Sequence, residues 1–164
     1  MTCTASFAAL IVLTVAGAAS AGPLDGKSYI IQLSSSQYDS GYGNYLLPPL
    51  AKVMRRSGLS PKNGPGADLV VNVATSSDVG KWLGKGANRV WTYEIGVTVG
   101  ISPESYDIPY EGTPAFGVTA QLLTPNPDRE DELACLIDLA ARTALANYRP
   151  TGHLRADGSA CLRN

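Results

Sequence analysis

The stretch "RVWTYEIGVTVGI", residues 89–101, decides the fold class of this chain. Its apolar side chains recur at every second position, with polar or small residues between them. This alternation is typical of a β-strand that buries one face and leaves the other face at least partly polar. The residues expected on the core side of a sheet are Trp91, Tyr93, Ile95, Val97, Val99 and Ile101.

The segments on both sides of this strand complete an α+β domain. Apolar runs predict further strands at 27–34, 67–74 and 115–123, and helical spacing predicts helices at 45–58 and 128–148. The order β-α-β-β-β-α predicts a two-layer sandwich, in which both helices cover the apolar face of a four-stranded mixed sheet. The helix between the first two strands should make them parallel, and the later strands should add as antiparallel hairpins.

Local signals suggest where the two helices begin and end. Pro48 and Pro49 are expected in the first turn of the first helix, where a missing N–H costs least, and Gly58 is expected to end it. Asn126 is expected to cap the second helix, with Pro127 at its first position.

The first 21 residues are typical of a cleaved signal peptide. The apolar run "FAALIVLTVAGAASA" ends in small residues that fit the A-x-A rule, so cleavage is expected before Gly22. We therefore expect an exported protein, either periplasmic or secreted. Its α+β domain should cover residues 22–150, and an irregular tail should cover residues 151–164. After the leader, no apolar run is long enough to span a bilayer.

The cysteines agree with export. Cleavage leaves Cys135, in the second helical pattern, and Cys161, in the tail. In an oxidising compartment such a pair is expected to form a disulfide that ties the tail to the helix. The formal net charge of the whole chain is −1, which gives no positive surplus for nucleic acid or an anionic membrane.

The candidate binding surface lies where strands end. If the topology holds, the carboxyl ends of the first, second and fourth strands meet at one edge of the sheet, where ligands of open sheets tend to bind. Two connections there carry aromatic and basic residues. The candidate binding residues are Tyr38, Tyr42, Lys81, Trp82 and Lys85. Trp82 either packs back onto the core or joins the tyrosines in a surface offered to a partner.

Catalysis and cofactor binding have little support in the sequence. The one histidine, His153, lies in the tail without a hydrolase motif around it. No set of His and Cys could hold a transition metal, and the acidic run at 128–132 suits a helix N-terminus better than a calcium loop. We therefore expect no enzyme, no metal and no cofactor.

Short matches over 27–150 resemble a family of small Gram-negative envelope proteins. They are the helix ending "MRRSGLSP", the strand "ADLVVNV" at 67–73 and the last helix ending "LANYRP". Most members are lipoproteins of unknown function. The resemblance implies a βαβββα sandwich and no catalytic residues. This chain differs from most members of the family in lacking a lipobox cysteine.

Two functions follow as hypotheses. The first is a non-catalytic periplasmic recognition or accessory module that binds an envelope protein or a cell-wall component. The alternative is a small-molecule-binding protein with a pocket under the 75–88 connection, which would turn its aromatic side chains inward. An enzyme comes third, and a pairing of His153 with an acid in a cleft would favour it.

Overall fold

The computed structural model describes residues 22–33, 42–104 and 113–162. They form an α+β structure with one seven-stranded sheet. The α+β class expected from the sequence is confirmed. Within those ranges, neither helix is both long and apolar enough to cross a membrane. The candidate residue Tyr38 lies outside the described residues, as does the side chain of Tyr42.

The main elements follow one another in the predicted order, with three short strands added. In chain order they are β1 (Ser28–Leu33), α1 (Tyr42–Arg56), β2 (Ser60–Pro61), β3 (Leu69–Ser77), β4 (Lys81–Leu83), β5 (Val90–Pro103), β6 (Phe116–Thr124), α2 (Glu130–Ala146) and β7 (Gly152–Asp157). Single 3-10 turns occupy Gly86–Asn88 and Ser159–Cys161.

The strand order of the sheet is β2-β1-β3-β5-β6-β7, and β4 pairs with the beginning of β5. β1 and β3 are parallel neighbours, whereas β3–β5 and β5–β6 are antiparallel, as the sequence predicted. β6 therefore runs in the same direction as β1 and β3. The carboxyl ends of these three strands consequently meet at one edge of the sheet, which is the edge expected to carry a site.

The alternation of apolar and polar residues in the sequence corresponds to the two faces of the sheet. On β5 the side chains of Ile95, Val97, Val99 and Ile101 are almost fully buried and belong to one core cluster with both helices. The opposite face carries small and polar residues such as Gly96, Thr98 and Gly100. On that face Pro114 lies so close to Gly100 that a Cβ there would come within 2.4 Å of its ring.

The sheet contains seven strands rather than the predicted four. β2 has two residues and β4 has three, so neither is long enough to show a period in the sequence. β7 falls in the segment 151–164 that was expected to be irregular. It pairs in parallel with β6 and presents mostly exposed side chains, because an edge strand needs little apolar character.

The predicted disulfide between Cys135 and Cys161 is confirmed. It joins the first half of α2 to the turn after β7, with 5.6 Å between the two Cα atoms. Gly158 packs tightly beside it, since a Cβ at this position would lie 2.4 Å from a methyl carbon of Leu136. The tail is thus tied back as expected, but as a strand of the sheet.

The helix boundaries differ from the predicted ones for identifiable reasons. α1 begins at Tyr42, so Pro48 and Pro49 lie inside it and remove two of its backbone hydrogen bonds. Leu46 and Leu50 are buried before and after the two prolines, and they hold this part of the helix against the core. Gly58 ends the helix as predicted: at φ +79° it closes a Schellman motif, in which the Leu59 N–H donates to the Met54 carbonyl.

The second helix begins at Glu130, without a side-chain cap from Asn126. Instead the Asn126 amide donates to Oε1 of Glu132, at 2.7 Å, and the Thr124 hydroxyl donates to the same oxygen at 2.9 Å. The Glu132 side chain is 1% exposed. The acidic run lies in the first turn of α2, as expected, but one of its carboxylates, that of Glu132, is buried and organises this turn.

Candidate functional site

The candidate site is a β-hairpin that extends the β3–β5 pair past the end of the sheet. We call residues 78–93 the hairpin arm. Its ladder pairs Lys81 with Thr92, Trp82 with Trp91 and Leu83 with Val90. The connection predicted as a loop at 75–88 is therefore largely strand and turn.

A bulge at the base sets the direction of the arm. Ser77 pairs with Ile95 and Lys81 with Thr92, so three residues of one strand face two of the other. Asp78 stabilises this arrangement, because its Oδ1 accepts hydrogen bonds from the N–H groups of Gly80, at 3.0 Å, and Glu94, at 2.8 Å. The Asp78 N–H donates in turn to the Glu94 carbonyl.

A row of aromatic rings runs along one face of the arm. The rings of Trp82 and Trp91 lie 5.3 Å apart in an edge-to-face arrangement, and Trp91 meets Tyr93 at 6.5 Å in the same way. At the base, the Arg129 guanidinium lies 4.3 Å from the centre of the Tyr93 ring. The row therefore connects the arm to the beginning of α2.

The arm leaves large apolar side chains in solvent on both of its faces. Trp82 is 58% exposed, Trp91 37%, Leu83 39% and Val90 50%, while Val79 at the base is 90% exposed. Trp82 and Trp91 share one face, and Leu83 and Val90 share the other. Scattered single apolar residues are normal on a protein surface, whereas several large ones grouped on one hairpin are typical of an interaction site.

Basic side chains accompany these apolar ones. Between positions 81 and 91 the chain carries Lys81, Lys85 and Arg89 and no acid. The Lys81 ammonium lies 3.7 Å from a carboxylate oxygen of Glu94, and the Arg89 guanidinium lies 5.8 Å from the Trp82 ring. The outer part of the arm is therefore both apolar and positively charged.

The two helices meet beside the base of the arm. The Tyr45 hydroxyl, on α1, hydrogen-bonds to Glu130 at the start of α2, and this bond together with the carboxylate charge raises the pKa of Tyr45. Arg129 also donates a hydrogen bond to the hydroxyl of Ser77 at the end of β3. These contacts link α1, α2 and the sheet at the edge from which the arm projects.

The structure brings together three of the five candidate binding residues. Lys81 and Trp82 lie on β4, and Lys85 lies in the turn of the arm. The contacts of Tyr38 and the Tyr42 side chain lie outside the described residues. Sequence reasoning placed Trp91 in the core and so missed its role beside Trp82. The signal was available, because two tryptophans flank the turn-forming stretch "LGKGANRV" symmetrically.

Two open clefts in the described part of the chain are formed outside the arm, although the second is lined in part by Glu94 at its base. One, of about 550 Å³, lies between residues 22–25 and the ends of both helices, and the other, of about 370 Å³, lies beside Leu123 and Leu162. Neither is lined by Trp82. His153, the candidate base, lies on β7 with its Nε2 3.1 Å from the hydroxyl of Thr119.

Gly80 allows the aromatic row to form. It has φ +84°, and a Cβ at this position would lie 2.4 Å from Nε1 of Trp91. We expect Gly80→Ala to displace the Trp91 ring and to weaken the exciton couplet that the Trp82–Trp91 pair gives in far-UV circular dichroism. The strained backbone should also cost about 1 kcal/mol of stability.

Gly86→Ala is the matched control for this prediction. Gly86 also has a positive φ, +59°, but a Cβ added there would have nothing within 4 Å of it. The control should therefore show a similar loss of stability with an unchanged couplet. An unchanged couplet in Gly80→Ala as well would contradict the close approach of Trp91 to Gly80.

The fold and site together define a class of protein: an α+β sandwich with a projecting, aromatic and basic hairpin arm. No protein-family model matches the chain, and no curated protein matches its sequence. Among solved structures, it is similar to a minor lipoprotein from Acinetobacter baumannii, with 17% identity, a TM-score of 0.46 and coverage of 74% of this chain and 91% of that one. It is also similar to PelC from Paraburkholderia phytofirmans, a dodecamer, with 13% identity, a TM-score of 0.45 and coverage of 78% and 95%. Neither likeness says anything about function.

Proposed function

We propose that this chain is a non-catalytic recognition or accessory module of the periplasm, and that the hairpin arm is its contact surface. The observation that carries the proposal is the exposure of the Trp82–Trp91 pair on an arm that projects beyond the sheet. Exposed large apolar side chains cost solubility, and tryptophan is concentrated at the centres of binding interfaces. The partners named by the sequence hypothesis are an envelope protein or a cell-wall component.

The chemistry of the described residues supports a module without catalysis. Cys135 and Cys161 are bonded to each other, so neither offers a thiolate nucleophile. The polar partner of His153 is the Thr119 hydroxyl rather than an acid that could orient the imidazole as a general base. The disulfide also supports the proposed location, because such bonds persist in oxidising compartments.

The geometry of the arm gives less support to the small-molecule alternative. A pocket beneath the 75–88 connection would turn Trp82 inward, yet this side chain is 58% exposed. The edge-to-face arrangement of the two indoles, at 79°, likewise offers no continuous flat platform for sugar rings. An apolar contact surface fits the arm better than a ligand pocket does.

The test is photo-crosslinking in the cells that make the protein. A photoreactive residue in place of Val79 samples the arm without disturbing the tryptophan pair, since the Val79 side chain is 90% exposed. We expect adducts with an envelope component from this position and none from Lys52, an exposed position on α1. Mass spectrometry then identifies the adduct. Equal labelling from both positions, or none from either, would contradict the proposed contact surface.

A further inference from the structure

We infer that the envelope component contacted by the arm is an anionic lipid surface, into whose headgroup layer the arm inserts. This inference rests on the proposed function, in which the arm is the contact surface. The chain as a whole has a formal charge of −1, which argues against a general attraction to anionic membranes. The arm is the exception, because residues 81–91 include three cations and no acid. Of these, Lys81 is ion-paired with Glu94, whereas Lys85 and Arg89 lie in the turn of the arm.

The distribution of apolar side chains favours immersion over docking on a flat surface. A partner that binds one face of a hairpin requires apolar residues on that face alone. Here Trp82 and Trp91 lie on one face while Leu83 and Val90 lie on the other, and all four are exposed. A headgroup layer surrounds both faces of a hairpin that lies within it, so both faces gain from burial.

The identity of the side chains fits the membrane interface. Tryptophan is enriched at headgroup level, where its apolar ring is buried and its N–H remains hydrated. Lys85 and Arg89 flank the apolar ladder at the turn, where their long side chains can reach lipid phosphates. The ladder of the arm is only three residue pairs long, about 10 Å at 3.3 Å per residue, and two of these pairs are apolar, which matches interfacial insertion rather than a membrane span.

The protein provides its own reporter for a direct test. Its two tryptophans are Trp82 and Trp91, so selectively excited tryptophan emission reports on the arm alone. We expect the emission to shift to shorter wavelength, and the protein to sediment, with vesicles of phosphatidylglycerol and phosphatidylethanolamine. Vesicles of phosphatidylcholine should bind much less. Added salt should weaken the binding, because the attraction of exposed charges is screened.

Matched variants separate the arm from the rest of the chain. Trp82→Ala should lower the partition coefficient roughly tenfold, through the loss of apolar area. Lys85→Gln with Arg89→Gln should lower it about thirtyfold, through the loss of two cations near an anionic surface. Lys52→Gln with Arg56→Gln removes the same charge from exposed positions on α1 and should have little effect. Any contribution of the apolar residues 7–21 to vesicle binding is the same in every variant, because none of the substitutions changes them.

The outcomes distinguish this inference from the proposed function. Absence of vesicle binding, equal binding to phosphatidylcholine, or equal binding by the arm variants and the wild type would overturn the lipid inference. If crosslinking from position 79 then yields one protein or cell-wall adduct, the recognition function stands with a different partner. A lipid adduct from that position together with weakened binding by both arm variants supports the inference.

Discussion

Replacing Cys135 and Cys161 together by serine is expected to lower the free energy of unfolding by about 3 kcal/mol. The bond links residues 26 positions apart, and without it the unfolded chain gains the conformational freedom of that loop. The folded state should weaken locally as well. β7 is an edge strand whose side chains are mostly exposed, so its pairing with β6 contributes little apolar burial of its own.

Urea unfolding of the double variant, compared with oxidised and reduced wild type, measures this effect. Reduced wild type loses the cross-link with its side chains otherwise unchanged, so it should lose nearly as much stability as the variant. Hydrogen exchange should show faster exchange at β7 amides than at those of β5, which is paired on both sides. A midpoint that does not change on reduction would show that the tail is held by packing alone.

Glu132→Ala is expected to cost about 3 kcal/mol, because it leaves two polar donors near the core without their acceptor. The Thr124 hydroxyl and the Asn126 amide both donate to Oε1 of this buried carboxylate. The substitution also empties the space of a fully buried side chain. The turn that carries β6 into α2 should therefore loosen, and with it the base of the arm, where Arg129 contacts Tyr93.

Two variants isolate the cause of this loss. Asp131→Ala removes an exposed acid from the same first turn of α2, so it shares any effect on the helix dipole and should cost less than about 1 kcal/mol. Glu132→Gln retains an acceptor oxygen and should retain a large part of the stability. Equal losses from Glu132→Ala and Asp131→Ala in thermal unfolding would mean that the hydrogen bonds to Thr124 and Asn126 contribute nothing.

The long elements could be predicted because their patterns are strong. The alternation over 89–101 and the apolar runs at 27–34, 67–74 and 115–123 each cover enough residues for a period to be read. The order of these strands and helices then restricted the possible sheet topologies to a few. A helical crossover makes neighbouring strands parallel, and short connections make them antiparallel. The structure confirms these pairings.

The short strands could not be predicted, because pairing rather than local pattern creates them. β2 and β7 are strands because they lie beside β1 and β6, respectively. The start of α2 is a similar case. Asn126 has the chemistry of a helix cap, but the burial of Glu132 draws its amide toward the carboxylate.

The candidate site was predicted in part. Trp82 and its neighbouring lysines were singled out because an aromatic residue between cations in a Gly-rich segment suggests a contact. The partner of Trp82 was not identified, since Trp91 continues the alternation of a buried strand. β5 extends past the helices that cover its other core-facing residues, and this leaves Trp91 37% exposed.

The sequence by itself determined the α+β class, the order of the long strands and helices, the separation of the two sheet faces and the pairing of the cysteines. These features depend on periodicity, on spacing and on the two cysteines that lie after the predicted signal peptide. Only the tertiary structure decided how far β5 reaches beyond its cover, and so which aromatic residues face solvent. The physical reason is that the burial of a side chain depends on where the packed helices and strands end in space. The alternation of apolar residues along a strand is the same whether or not another layer covers them.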